Sequence, residues 1–157
     1  MRTHFLVLLA TLFFCNNVMA HEYETGSLTI HHPYAYSVQK NDKTSWAFMN
    51  ITNDGEEDDT LVSASSPIAG SIDIFDGESK IENVDINSHQ SIKFKKDGIH
   101  LVLNDIKKTP IKAGARRPIM LHFEHAGDVK AQLLFTTIGD VSRCDDSSHN
   151  KKPKTAK

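Results

Sequence analysis

Apolar and polar residues alternate over short stretches of the chain, and no stretch after residue 20 repeats at helical spacing. Gly, Asn, Asp or Pro separates most of these stretches, which recur about every ten residues. Short strands at regular intervals with such turns are typical of a β-sandwich or barrel. We therefore predict an all-β fold, a Greek-key β-sandwich. The predicted strands are "SLTIHH", "SWAFMNITN", "DTLVSASS", "SIDIF", "KIENVDI", "SIKF", "IHLVLND", "RPIMLHFEH" and "DVKAQLLFTT".

The first residues have the layout of a secretory leader. Arg2 precedes an apolar run over residues 5–14, and small or aliphatic residues precede His21. We predict a cleaved signal peptide of residues 1–20 and a periplasmic protein with no permanent membrane span, because a spanning helix needs about 20 apolar residues. Cys15 follows "LFF" rather than the small residues that normally precede a lipid-modified cysteine, so we predict no lipidation.

The rest of the chain divides into a domain and a tail. Residues 21–142 make one domain, whereas residues 143–157 are nearly devoid of apolar side chains and are predicted to be a disordered polar tail. The formal net charge of −2 becomes −3 when Arg2 leaves with the leader, and no basic stripe favours nucleic acid. Cys144 is then the one remaining cysteine, which excludes an internal disulfide and permits a dimer linked through Cys144.

Two histidines are the first candidates for chemistry. His100 lies in "GIHLVLND", a stretch that otherwise predicts a buried strand. His21 would be the mature N-terminus, where its amine and imidazole form a chelate that suits Cu(II). A histidine brace needs a second imidazole, for which the candidates are His31, His32, His122 and His125. The sequence has no "GxSxG" elbow and no Gly-rich phosphate loop, so we predict that the protein is not an enzyme.

Two further histidine motifs favour a structural role. His31 and His32 are adjacent in a predicted strand and point to opposite faces, so they cannot hold one ion together. In "LHFEH", His122 and Glu124 are predicted to share one face and His125 to lie on the other. We expect the first of these faces to be a solvent face, with a site for a harder divalent ion as the alternative.

The remaining candidate metal donors are expected to have roles other than metal binding. Met49 and Met120 have apolar neighbours, so we expect both to fill gaps in the core. Residues 54–59, "DGEEDD", are expected to be a solvated turn rather than a calcium site, since the pattern of an EF-hand loop is absent. Cys144 and His149 make a weak pair in the predicted tail.

The predicted strands resemble, in their order, a known family. The segments "AHEYETGSLTIHHPYAY", "AFMNITNDGEEDDTLVSASSPIAGSIDI", "KKDGIHLVLNDIKKTPIKAG" and "IMLHFEHAGDVKAQLLF" are similar to PCu(A)C domains, the periplasmic copper chaperones of bacteria. The resemblance covers residues 21–138. It implies a cupredoxin-like β-sandwich that binds Cu(I) through two His and two Met and passes it on, typically to the dinuclear copper centre of a respiratory oxidase.

Each copper-ligand position of the family corresponds to a residue of this sequence. The resemblance puts the first His near Phe75, the first Met near Ile81, the second His on His100 and the second Met on Val102. One ligand of the four remains, and the three replacements are apolar. The resemblance therefore implies an apolar patch around one imidazole, the remnant of a copper site.

Two hypotheses follow from these observations. The first is an exported copper chaperone of the PCu(A)C type, with copper bound by His100 or by His21 and with a copper-donating or copper-accepting periplasmic partner such as an oxidase subunit. The alternative is a metal-free periplasmic binding or scaffold module on the same fold.

Overall fold

The computed structural model describes residues 22–139, which form eleven β-strands and no helix. None of these residues belongs to a helix with the length and apolar character needed to cross a bilayer. The strands are β1 (Glu22–Thr25), β2 (Leu28–Tyr36), β3 (Ser45–Asn53), β4 (Asp59–Ser65), β5 (Ser71–Asp76), β6 (Ser79–Ile81), β7 (Val84–Ile86), β8 (Gln90–Lys93), β9 (Ile99–Asn104), β10 (Arg116–Phe123) and β11 (Gly127–Thr136). The predicted leader, residues 1–20, and the predicted tail, residues 143–157, lie outside the described residues.

The strands join one mixed sheet in the order β6-β5-β9-β3-β2-β11-β10-β4-β7, to which β1 adds beside β2 and β8 beside β3. The pairing of β11 with β2 is parallel, and every other pairing is antiparallel. The end strands β6 and β7 are consecutive in the chain, with only residues 82 and 83 between them. The sheet therefore curls until its two ends meet, which makes a nearly closed β-sandwich.

All nine predicted strands are confirmed, with two differences. "KIENVDI" is divided between β6 and β7, because the polar pair Glu82 and Asn83 interrupts the pairing where the chain passes from one end of the sheet to the other. Strand β1, "EYET", was not predicted. Its residues are exposed or half-buried, so it lacks the apolar alternation that marks a strand in sequence.

Alternation along β3 and β9 separates two faces of the sheet. Ala47 and Met49 of β3 and Leu101 and Leu103 of β9 are buried in the core. The opposite face carries Trp46, whose cross-strand partner is Val102. Since directly opposed residues share a face, the side chains at positions 46 and 48 and those at positions 100 and 102 lie together on the side away from this core.

Two tight hairpins carry the residues considered below. Gly77, between β5 and β6, and Gly127, at the start of β11, have φ values of +58° and +74°. Both conformations are left-handed and favour glycine. The β5–β6 hairpin orients Phe75, and the β10–β11 hairpin places Asp128 directly opposite His122.

Candidate functional site

His100 lies near the start of β9, between β5 and β3. Its Cα partner on β5 is Phe75, and the side chain is only 2% exposed. The prediction that "IHLVLND" forms a strand is confirmed. The imidazole is buried on the face away from Leu101 and Leu103, so it has its own surroundings rather than those of the aliphatic core.

Those surroundings consist of aromatic rings. The imidazole centroid lies 4.8 Å from the Trp46 ring, 5.8 Å from the Phe75 ring and 6.3 Å from the Phe48 ring, and the Phe75 contact is stacked. Tyr34 and Tyr36 pack in turn on Phe48 at 5.1 Å and 5.2 Å. We call these five aromatic residues and His100 the aromatic face; its members are Tyr34, Tyr36, Trp46, Phe48, Phe75 and His100.

A hydrogen bond fixes the orientation of the imidazole. Nδ1 of His100 lies 2.8 Å from the carbonyl oxygen of Gly98. A carbonyl only accepts, so Nδ1 carries the proton and donates it, which leaves Nε2 as the nitrogen with a lone pair in the neutral ring. A ring held in this way can supply one nitrogen donor to a metal.

The structure corrects one of the family-derived ligand places. Phe75 and Val102 share the face of His100, as expected. Ile81 does not, because its partner on β5 is Ile74, a buried residue that is also opposite Leu101. The expected apolar patch around His100 therefore excludes Ile81 and keeps Phe75 and Val102.

Charged residues of the β8–β9 loop lie beside the aromatic face. Nζ of Lys96 is 5.9 Å from the centroid of the Trp46 ring, within the range of a cation–π contact. Burial and the negative charge of Asp97 both raise the pKa of Tyr36 above its ordinary value. Because the loop brings a cation and an anion to the same face, it defines one polar margin of this otherwise apolar region.

A second imidazole lies on another part of the sheet. His122 of β10 has Nδ1 2.7 Å from Oδ1 of Asp128 and Nε2 3.0 Å from Oγ of Ser65. These residues, with Met120, line a cleft of about 480 Å³. We call this group the β10 cleft; its members are Ser65, Met120, His122 and Asp128.

Sequence reasoning did not find the β10 cleft, although the turn contained the signal. In "LHFEHAGDV" a hairpin closed by Gly127 sets His122 opposite Asp128. The expected pairing of His122 with Glu124 on one face and His125 on the other is wrong, because β10 ends at Phe123 and both later residues lie in the turn. Met120 is also not a core residue, since it is half-buried and lines the cleft. Met49 is in the core as predicted.

Three of the other described histidines make local contacts with carboxylates, among them His89 with Glu56. Nδ1 of His31 lies 3.1 Å from Glu22, and Nδ1 of His125 lies 3.6 Å from Asp59. His32 is exposed, with a φ of +48° at a bulge of β2. Within residues 22–139, no three His, Cys, Asp or Glu side chains form a group that could hold a metal ion. The candidates His21, Cys144 and His149 lie outside the described residues.

Asp59 corrects the expectation that residues 54–59 are a solvated turn. It begins β4 and is only 6% exposed. Burial on its own would raise the pKa of this carboxyl, but hydrogen bonds from the backbone N–H groups of His125, Thr60 and Ala126 outweigh that effect and hold the pKa below its ordinary value. Asp59 therefore fastens the β10–β11 turn to β4.

Comparisons with solved structures confirm the predicted fold. The apo PCuAC domain from PmoF1 is 27% identical with a TM-score of 0.69, and the match covers 74% of this chain and 99% of that domain. The copper-bound PCuAC domain from PmoF2 is 22% identical with a TM-score of 0.70, covering 74% and 98%. The solution structure of CuI-DR1885 from Deinococcus radiodurans is 20% identical with a TM-score of 0.57, covering 76% and 83%. The chain thus has the cupredoxin-like β fold of PCuAC domains.

Sequence comparison supplies the family. No curated protein matches the chain. A family model described as "Putative lipoprotein LpqE-like" matches residues 28–134, from the first residue of β2 to near the end of β11. Since this match spans well over half of the sequence, the chain belongs to the LpqE-like family.

Proposed function

We propose that this chain is an exported protein that binds copper as cargo and passes it to a periplasmic partner. The observation that carries the proposal is the fold, which is shared over nearly the full length of PCuAC domains. Two of the similar structures are named as copper-bound or Cu(I)-bound proteins. The role is that of a carrier rather than an enzyme, and delivery to a respiratory oxidase subunit is one form that it can take.

His100 is the proposed nitrogen donor at the family's position. Its Nδ1 is held by Gly98, so Nε2 is the nitrogen left for a metal. The rings around it, Trp46, Phe48 and Phe75, are not copper donors. These residues do not complete a Cu(I) site, so retention at His100 requires a donor from elsewhere in the chain. His21 is the second proposed donor, as the N-terminus produced by leader cleavage.

The test is a copper titration of the protein purified after export. Cu(I) is added without oxygen against a chromogenic chelator, and Cu(II) is added separately, to the unaltered chain and to His100→Ala. We expect His100→Ala to retain one equivalent of Cu(I) less than the unaltered chain. If Cu(II) is bound instead and one extra residue before His21 abolishes it, the N-terminus is the site. Retention of neither ion by the unaltered chain would sink the copper proposal.

A metal-free binding or scaffold module is the second candidate function. The specific observation in its favour is that His100 packs against three aromatic rings as a core residue does. Under this alternative, His100→Phe preserves both the fold and the biological role, whereas a copper carrier that depends on His100 loses copper. The phenotype of that variant under copper limitation separates the two candidates.

Export and association are proposed from the sequence. The family description includes the word lipoprotein, whereas the residues before Cys15 favour simple cleavage after Ala20. Mass spectrometry of the exported protein distinguishes an acylated Cys15 from a free His21. Electrophoresis without reductant, compared with Cys144→Ser, tests the proposed dimer linked through Cys144.

A further inference from the structure

We infer that the β10 cleft is a second binding site for Cu(I), with Nε2 of His122 and the thioether sulfur of Met120 as its donors. It is a different site from the one proposed at His100. The two lie on different strands, since His100 is in β9 and His122 in β10, and the sheet order places β3, β2 and β11 between those strands.

The first argument is the orientation of the His122 ring. Nδ1 lies 2.7 Å from a carboxylate oxygen of Asp128, and an ionised carboxylate can only accept. Nδ1 therefore carries the proton in the neutral ring, and Nε2 holds the lone pair. A carboxylate that holds one nitrogen of an imidazole whose other nitrogen binds metal is a recurrent arrangement, because it fixes the tautomer and raises the basicity of the donor.

The second argument is the position of Met120. Met120 and His122 are two residues apart in β10, so both side chains point to the same face. Both line the same cleft of about 480 Å³, and His122 retains 29% exposure. An imidazole and a thioether in an accessible cleft form a soft donor pair, and thioethers select Cu(I) among the common biological metals.

The third argument concerns charge. Lys130 is directly opposite Met120 and also lines the cleft. Its repulsion is half as large for a singly charged ion as for a divalent one, and Asp128 offsets part of it. Lys130 therefore disfavours a divalent ion more than a monovalent one.

In the absence of metal, Ser65 forms a hydrogen bond with the proposed donor nitrogen of His122. In the neutral ring, its hydroxyl donates to Nε2 of His122 across 3.0 Å. Binding of Cu(I) replaces that hydrogen bond, the Ser65 hydroxyl turns to water, and no electron or proton is transferred. Ser, His and Asp are hydrogen-bonded to one another in the same way in serine hydrolases; the feature that favours a metal here is the thioether of Met120, which lines the same cleft as the His122 ring. Two protein donors leave Cu(I) open to a third donor from a partner, which suits release.

The test uses the methionine methyl groups as reporters. The exported protein is labelled with ¹³C at the methionine methyls and titrated with Cu(I) without oxygen, in the presence of a weak competing ligand. We expect the Met120 methyl resonance to shift and the resonance of the buried Met49 to remain. His122→Gln should abolish the shift, and Asp128→Asn should weaken Cu(I) binding about tenfold because the ring loses its charged support.

Two controls isolate the cleft. His125→Ala removes an exposed imidazole from the same turn, and His100→Phe removes the imidazole of the aromatic face; the Met120 shift should survive in both. A Met120 resonance that stays in place while the chain retains Cu(I), or that still shifts in His122→Gln, would overturn the inference. If Cu(I) is lost in His100→Phe and kept in His122→Gln, the inference fails while the role of His100 stands. The reverse result supports the cleft and removes His100. If the chain retains no Cu(I) and the Met120 resonance does not move, both proposals fail.

Discussion

The surroundings of His100 and His122 differ although both rings are held through Nδ1. The Gly98 carbonyl holds His100 at 2.8 Å, and the Asp128 carboxylate holds His122 at 2.7 Å. His100 is then enclosed by aromatic rings and is 2% exposed, whereas His122 lies beside Met120 in an open cleft. A histidine can thus be buried among aromatic rings, while another histidine of the same fold lies beside a thioether in an open cleft.

The comparison separates two uses of a fixed imidazole. In the aromatic face, the hydrogen bond to Gly98 satisfies a buried polar group, which is a requirement of packing as much as of function. In the β10 cleft, burial is incomplete and does not require the Asp128 bond, so the orientation of Nε2 is its main consequence. The predictions below test this contrast from the largest expected effect to the smallest.

The first prediction compares alanine substitutions at the two histidines. His100→Ala should lower the free energy of unfolding by about 3 kcal/mol, because it leaves a cavity among three rings. His122→Ala should cost less than about 1 kcal/mol, because a hydrogen bond that is partly exposed to water contributes little. Urea unfolding followed by circular dichroism measures both, and His100→Phe should recover part of the loss. Equal losses of unfolding free energy at the two positions would contradict the contrast between the buried and the partly exposed histidine.

The second prediction concerns the carboxylate that fastens the turn next to His122. Asp59→Asn should cost about 1–2 kcal/mol at neutral pH, since Thr60 and His125 donate to one carboxylate oxygen and Ala126 to the other, and asparagine replaces one of these acceptors with an NH2 donor. The folded pKa of Asp59 is lowered, so its stabilisation is present above the unfolded value of about 3.9 and is lost as the pH falls through the folded value. The difference between the variant and the unaltered chain should therefore shrink in acid.

The matched control for Asp59 is Glu57→Gln, which alters an exposed carboxylate in the same segment. Hydrogen exchange supplies a regional measurement: in Asp59→Asn, the amides of His125 and Ala126 should exchange faster, while those of β9 remain unchanged. A stability difference for Asp59→Asn that is constant with pH would contradict the proposed origin of the effect.

The third prediction uses one glycine from each region. Gly77→Ala and Gly127→Ala should each cost about 1 kcal/mol, because alanine is strained at a left-handed φ and an added Cβ would meet no atom within 4 Å at either place. Only Gly127→Ala should shift the NMR resonances of the His122 ring, and only Gly77→Ala should shift those of Phe75. A larger loss of stability at one glycine would show that the substitution also disturbs contacts made by that turn.

The fourth and smallest effect lies at the margin of the aromatic face. Asp97→Asn should lower the pKa of Tyr36 toward its ordinary value, because it removes the negative charge that disfavours the tyrosinate. Some elevation should remain, since burial is the larger cause. Ultraviolet titration of tyrosinate measures this shift, and Asp128→Asn should leave it unchanged. An unchanged titration of Tyr36 in Asp97→Asn would mean that the loop charge does not act on this face.

Much of the fold was accessible from the sequence, because alternation and turn residues determine strands locally. The face on which Ile81 lies was predicted wrongly, although the loop length determines it: a two-residue loop at Gly77 and Glu78 pairs Ile81 with Ile74. Asp59 was misassigned because the acidic run "DGEEDD" conceals one residue that turns inward. The contact of Ser65 with His122 depends on β4 lying beside β10, a neighbour relation across 57 residues that no local pattern records.

The meeting of the sheet's two ends affects how readily copies of the protein can aggregate. An open edge strand is a template on which another chain can add by backbone hydrogen bonding, the first step of aggregation. Here the end strands β6 and β7 have three residues each and are joined by a two-residue link. A foreign strand would find only a short segment to pair with on either side, and the link prevents the ends from separating widely. The same link that closes the sheet therefore leaves little free backbone at these two edges for a copy of the chain to pair with.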